Sequence, residues 1–508
     1  MKKIFLLMGL ITILSCNQKD KMSNRLGIVE FEVYGNELAQ SHFEKGLLLL
    51  HSFEYEDSRE EFIKAQEADS EMAMAYWGEA MTYNHSIWSE QDYESGFAVV
   101  QKIDSMDHLD KVSTTELGFI EAIKILYKPK TPKNERDIAY KDYMKSLYEK
   151  QSNNNELAAF YAISLLGSVA EGRNDSIYGL GAEVSKKVLK TNPNHPGALH
   201  YLIHSYDDPA HAKLAFDAAD AYAKVAPDAS HALHMPSHIY VALGMWDKVI
   251  SSNVHSYQAS INRMERKKLG NDARGYHAFH WLEYGYLQTN EFEKAKQMVL
   301  ELEQYVKETP SGRGRVHLVF LKGTYLVETN DWESPIADIE VDVADLNITV
   351  QSQYLFLDGY KAFVNKDQQK LNEVIDALGD KIQKESLLVD YMDDGYSVCT
   401  SPSRSVPTQS NINESLVMLM QLRAIKAWLN NDAVETERLI KESIDIENKL
   451  SYSYGPPVIQ KPTHELYAEW LLSQNRFDEA IIQFDLTLEM ATNRRLALEG
   501  KKQAMSSI

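Results

Sequence analysis

The sequence predicts an all-α fold, a right-handed superhelix of antiparallel helix pairs, and three observations carry that prediction. Small and large apolar residues recur along the chain in one fixed order, a block of residues repeats at an offset of 34, and period-2 strand patterns are nearly absent. Small residues let two helices approach closely and large ones fill the gap to the next pair, so this order is what a stack of helix hairpins requires.

The first pair places Gly46, Leu49, Ser58, Phe62 and Ala65 at small, large, small, aromatic and small positions. Gly78 and Met81 restart the pattern 32 residues after Gly46 and Leu49, with Trp77 beside them. Leu282, Tyr286 and Ala295 match again, then Gly323 and Leu326 with Trp332 in the turn, and last Ala468, Leu471, Ala480 and Phe484. The turns at Leu243 to Asp247, Thr289 to Phe292 and Gln474 to Asp478 put Gly or Asn where a helix stops and Trp or Phe where the next begins. This is the spacing of the tetratricopeptide (TPR) repeat. Residues 31–508 are therefore expected to form a TPR-type α-solenoid of roughly nine to twelve hairpins. Ile339 to Val350 alternates loosely and reads either as a strand or as a helix pair joined at Leu346-Asn347. Breaks are expected at Lys128 to Lys133, at 395–413 (a Ser/Thr/Pro-rich stretch with Cys399, long enough for a lid or tether) and at Tyr454-Gly455-Pro456-Pro457.

The N-terminus reads as an export signal over residues 1–15. Lys2 and Lys3 precede an uncharged apolar run from Ile4 to Leu14, 11 residues long, about half the roughly 20 that a membrane-spanning helix needs. The run ends at Ile13-Leu14-Ser15-Cys16, which resembles the bacterial lipobox, with Leu14 departing from the small residue usual there. The resemblance implies cleavage before Cys16, acylation of that cysteine, and a polar tether over 16–30. A multiply acylated cysteine anchors stably, which implies a membrane partner through the lipid and a cell-envelope location, on the outer membrane. With Cys16 acylated, Cys399 has no disulfide partner, so packing alone must stabilise the fold.

The chain has 53 basic and 74 acidic residues, a net charge of −21. Such a surface repels phosphate backbones, and no basic, aromatic-interleaved patch offsets it, so nucleic acid is not expected as a partner.

The histidines carry the sharpest chemical signal. Of 16, ten fall between His195 and His280, within a His-rich section spanning 193–285. His200 and His204 are four apart and share one helix face, and His234 and His238 repeat that pair at an offset of 34. Pro193 and Pro227, Ala198 and Ala232, and Tyr206 and Tyr240 keep the same offset, so both pairs belong to first helices of adjacent repeats. Counted in the TPR register, His200, His204, Asp207, His231, His234, His238, His277 and His280 all face the concave groove. His200, His204, His234 and His238 are the candidate metal ligands, with Asp207 or Asp208 completing the set or orienting a ring. Imidazole suits a divalent transition metal such as Zn, Cu or Fe. The same groove can instead hydrogen-bond a peptide or small ligand without metal. Pro236 between His234 and His238 must start the helix late or interrupt it.

The segments His195 to His204 and His231 to His238, with the ending Tyr454 to Pro457 and Asn493-Arg494, resemble a group of bacterial TPR-repeat lipoproteins with no assigned biochemical role. The resemblance covers most of the chain and implies the fold rather than an activity. His464-Glu465 lacks the second His of a zinc-protease helix, and no nucleophile elbow, Walker motif or CxxC is present. Three functions stay open. The first is a non-catalytic scaffold lipoprotein binding a protein, peptide, ligand or metal in its groove. The second is a metal-dependent enzyme using the groove histidines, with Asp207 or Glu283 as base. The third is an accessory lipoprotein of a polysaccharide uptake or degradation system, with aromatics such as Trp88 stacking on sugar.

Overall fold

The computed structural model describes residues 25–107, 109–170, 172–392 and 407–508, apart from the side chains of 390–392. Cys16, the export signal and Cys399 lie outside the described residues. The chain is an all-α, TPR-type solenoid. Helices alternate in hairpins from Glu37–His51 with Tyr55–Ala68 through to Thr463–Ser473 with Phe477–Met490, and Arg495–Ser506 closes the stack. Successive helices pack on one another along the whole array. No described helix is long and apolar enough to cross a membrane.

The small positions act as the pattern requires. The Phe62 ring is fully buried between Gly46 and Gly78, and a Cβ on Gly78 would stand 2.3 Å from it. Ser58 donates to the Gly46 carbonyl at 2.7 Å, tying the two helices of the hairpin together. Gly78→Ala is therefore expected to lower stability by about 1–3 kcal/mol through overpacking, read as a drop in the urea midpoint with the slope unchanged.

Several segments depart from the sequence reading. Ile339 to Asn347 is neither a paired strand nor a helix pair. After a 3₁₀ turn at Pro335–Asp338 the chain runs without helix or paired strand from Ile339 to Val343 and then turns at Ala344-Asp345, with Ile339 and Val341 buried and Lys322 donating to the Ile339 carbonyl at 2.8 Å. Asn347 then caps the helix Ile348–Val364. The break at 395–413 is shorter at its far end, because Thr408 caps a helix that already runs over Gln409–Leu429. The residues after Val254 lengthen one helix to Trp246–Lys267. Residues 84–85 and 90–91 form a two-residue antiparallel ladder that no pattern announces. The tether region is packed from Leu26 onward, where Ile28 is held by Asn194 and Asn192.

The larger departure is closure. The solenoid winds tightly enough that its first hairpin packs against the helix Pro196–Ser205, more than a hundred residues later. Glu54 accepts from Ser230 and from the His231 amide, and Asp57 pairs with Arg263 and Lys267. At the other end Arg494, fully buried, bridges Glu465 (2.7 Å), Glu328 (2.5 Å) and the Tyr284 hydroxyl (2.9 Å), joining the last repeat to the middle ones. The expected open groove is thus largely an interior.

Candidate metal centre

Three successive first helices bring the histidines together. His195 caps the helix Pro196–Ser205 by accepting from the Ala198 amide at 3.1 Å, and His200 and His204 follow one turn apart. Asp207 lies just past the end of that helix. In the next repeat Pro236 supplies no N–H, and the helix is interrupted at Met235. The backbone keeps helical angles there (φ −52°, ψ −36°), so His234 and His238 stay on one face. The third helix, Tyr276–Gln288, adds His277.

The rings form two sets of three, His200 with His204 and His231, and His234 with His238 and His277, each with its candidate donor atoms within 4.8 Å of one another. The sets adjoin, with the His204 and His238 ring centroids 5.5 Å apart and those of His231 and His234 6.1 Å apart. His204, Asp207 and His238 form a third such group across the junction. His200, His204, His234, His238 and Asp207 are all buried, His231 is half-buried, and His277 faces solvent.

The hydrogen bonds fix which nitrogen of the key rings carries a proton. Asn253 Nδ2 donates to the Val249 carbonyl at 2.8 Å, turning its Oδ1 toward His234, so His234 Nδ1 donates across 2.6 Å. His238 Nδ1 donates to Asp207 Oδ2 at 2.5 Å. The Nε2 atoms of these two rings then face each other at 3.1 Å. Two lone pairs at that distance repel unless a cation lies between them. A proton serves two nitrogens, whereas a metal ion serves His277 as well. In the first set His200 Nδ1 donates to the His51 carbonyl at 2.7 Å, and both His204 Nε2 and His231 Nε2 stand 3.1 Å from its Nε2. One in-plane lone pair accepts one such bond. Nitrogens bound at about 2.0–2.1 Å to one tetrahedral ion stand roughly 3.3–3.4 Å apart, close to the spacing found. Asp207 Oδ1 is buried with no partner.

Burial lowers the basicity of these rings, and the neighbouring imidazoles lower it further. His200, His204 and His231 are pushed well below the usual histidine range, and His234 is held at about 3. Neutral imidazole is the form that binds metal.

Another buried group supplies the contrast. His51, Glu156 and His195 also lie within ligand range of one another. There Glu156 takes one bond from each ring (2.8 and 3.0 Å), His51 Nδ1 meets the Tyr201 hydroxyl at 2.9 Å, and His195 Nδ1 caps a helix. Every ring nitrogen is satisfied, so the group is structural and nothing in it calls for an ion.

His280 joins neither triad. It lies against Phe320 (5.4 Å) with its Nε2 buried and unpartnered, in a cleft next to the cluster. Glu283 is buried, accepts from Thr324 at 2.7 Å, and burial pushes its carboxyl well above the usual range. Sequence reasoning missed the groups that touch these rings, namely the His51 carbonyl, Asn253, the Phe53 ring 4.2 Å from His200, and Trp281 and Tyr454 at 4.4 and 5.6 Å from His238. Only Tyr454-Gly455 carried a signal. Gly455 has φ +95°, and any side chain there would strike Trp281.

No family model and no curated protein matches the chain. Among solved structures it is similar to the APC/C hetero-tetramer Cut9-Hcn1, at 12% identity and TM-score 0.38 over 92% of this chain and 76% of that one. It is also similar to the human IFIT1 dimer with m7Gppp-AAAA, at 12% identity and TM-score 0.33 over 93% and 91%. Yeast Tom70 follows at 10% identity and TM-score 0.28 over 93% and 89%. At these scores the likenesses say nothing about site or ligand.

Proposed function

We propose that the chain is a lipid-anchored, metal-binding TPR solenoid of the bacterial cell envelope, holding two transition-metal ions in adjacent three-histidine sites. The observation that carries this reading is the close approach of Nε2 atoms in both triads, bare on His200, His234 and His238, each of which is oriented by a bond from its other ring nitrogen. His200, His204 and His231 bind one ion, and His234, His238 and His277 bind the other. Neutral nitrogen ligands without thiolate favour Zn or Cu over harder ions. The lipobox-like Ser15-Cys16 supports the anchor, and the acidic exterior suits a protein partner with a basic face.

A metal-dependent enzyme is the second reading. Three protein ligands leave a coordination position open on each ion, and the unpartnered Asp207 Oδ1 lies beside both sites as a base or further ligand.

Elemental analysis of the purified protein is expected to give two metal ions per chain. The double variant His234→Ala/His238→Ala should retain one of them and His200→Ala/His204→Ala the other, with helicity unchanged. Protein that stays metal-free after incubation with Zn and Cu salts, yet is fully folded, sinks the proposal.

A further inference from the structure

A second site adjoins the histidines. A cleft of about 430 Å³ opens between the helices Tyr276–Gln288, Gly312–Thr329 and Ile348–Val364 and the segment around Tyr454 to Gln460. Its size is ordinary for a small-ligand pocket; its unpaired polar atoms are not. Gln460 is 3% exposed and lies against Gly323, and neither its Nε2 nor its Oε1 has a partner among the described residues. Gln353 donates through Nε2 to the Val458 carbonyl at 2.8 Å, which fixes its amide and leaves Oε1 as a buried acceptor with no donor. His280 adds an unpartnered Nε2. Buried polar atoms are nearly always paired, and each one left unpaired costs about 1–3 kcal/mol. Three such side chains on one cleft mark a ligand site.

The lining selects the ligand. Among the described residues no lysine or arginine lines the cleft, whereas Glu90 and Glu414 do, which disfavours an anion. Quaternary ammonium ions fit aromatic walls but offer no acceptor to Gln460 Nε2. Hydroxyl groups donate and accept at once, which suits a wall presenting a donor, two acceptors and an imidazole nitrogen. Trp88 and Tyr454, 44% and 38% exposed, provide ring surface on the same cleft.

We infer that this cleft binds a neutral polyhydroxylated ring compound, a mono- or disaccharide, through Gln353, Gln460 and His280 with Trp88 and Tyr454 as stacking surface. The site does not rest on the metal reading, although His277 lies on its wall and brings the sugar within reach of the second triad.

The test is calorimetric titration of the full chain, chelator-treated and metal-loaded, with glucose, galactose, mannose, N-acetylglucosamine, cellobiose and maltose, and with choline and inorganic phosphate as controls. At least one neutral sugar should bind at submillimolar concentration in both preparations. Gln460→Met should weaken it at least tenfold while leaving the melting temperature equal or higher, since it removes two unpaired buried atoms at nearly constant shape. Absence of binding by every sugar at millimolar concentration overturns the inference. So does tighter binding of choline or phosphate, binding indifferent to Gln460→Met, or a fall in melting temperature in that variant. Because chelated protein is included, loss of the metal reading leaves the result interpretable.

Discussion

Lowering the pH of metal-free protein from about 6.5 to about 5.5 is expected to remove about 1 kcal/mol of folding stability for each histidine that the fold holds neutral. A histidine held neutral by burial keeps its full contribution above the unfolded pKa of about 6.5 and loses it as the pH falls toward its folded value, because only the unfolded chain takes up the proton. The slope approaches about 1.4 kcal/mol per pH unit, and across this window it averages about 1 kcal/mol, because the unfolded ring is only half-protonated at its start. His200, His204, His234 and His280 are all buried and lowered, the last two to about 3. Glu283 works in the opposite sense, since burial raises its carboxyl, and it offsets part of this loss. Urea melts across this range, with and without chelator, check the slope. Protons compete with bound metal only near the low folded basicity of these rings, about 3 for His234, so the folded, loaded protein should keep its ions across this range. A metal-free protein whose stability is flat between those pH values contradicts the assigned protonation states.

Arg494→Met is expected to cost about 3–5 kcal/mol, the range for removing one partner of a buried ion network. Arg494 and Glu465 are wholly buried and Glu328 nearly so, and the guanidinium also meets Tyr284. Burial alone would raise Glu465, but Arg494 and Lys461 together hold it at about 2. Without Arg494 two carboxylates stay buried with their main counter-charge gone. Adding Glu328→Gln and Glu465→Gln to Arg494→Met should recover much of the loss, because the uncompensated charges disappear with it. Chemical denaturation of the single and triple variants checks this, and equal stability of the single variant and the parent chain would mean that the network contributes nothing net.

The part of the site legible in sequence was the part set by local geometry. His200 with His204 and His234 with His238 share helix faces because of their four-residue spacing, and the offset of 34 places the two faces side by side. His231 and His277 entered the same count by register. What the pattern does not carry is closure. The His51 carbonyl reaches His200 across 149 residues and Arg494 reaches Tyr284 across 210, contacts between successive coils of the solenoid that no repeat period encodes. Hence an open groove was expected where the structure has an interior. His280 differs for a smaller reason. It lies three residues beyond His277, and that step carries it from the cluster to the neighbouring cleft, while Trp281, four residues beyond, packs on His234 and His238. Ile339 to Asn347 misled because its alternation fits an unpaired segment laid on helices as well as it fits a strand.

Diffraction data collected at the Zn and Cu absorption edges, from crystals of metal-loaded protein, would locate the ions. Two anomalous peaks are expected inside the solenoid, one within bonding distance of the imidazoles of His200, His204 and His231, the other of His234, His238 and His277. Interior density without an anomalous signal, or signal confined to surface histidines, would contradict the proposal.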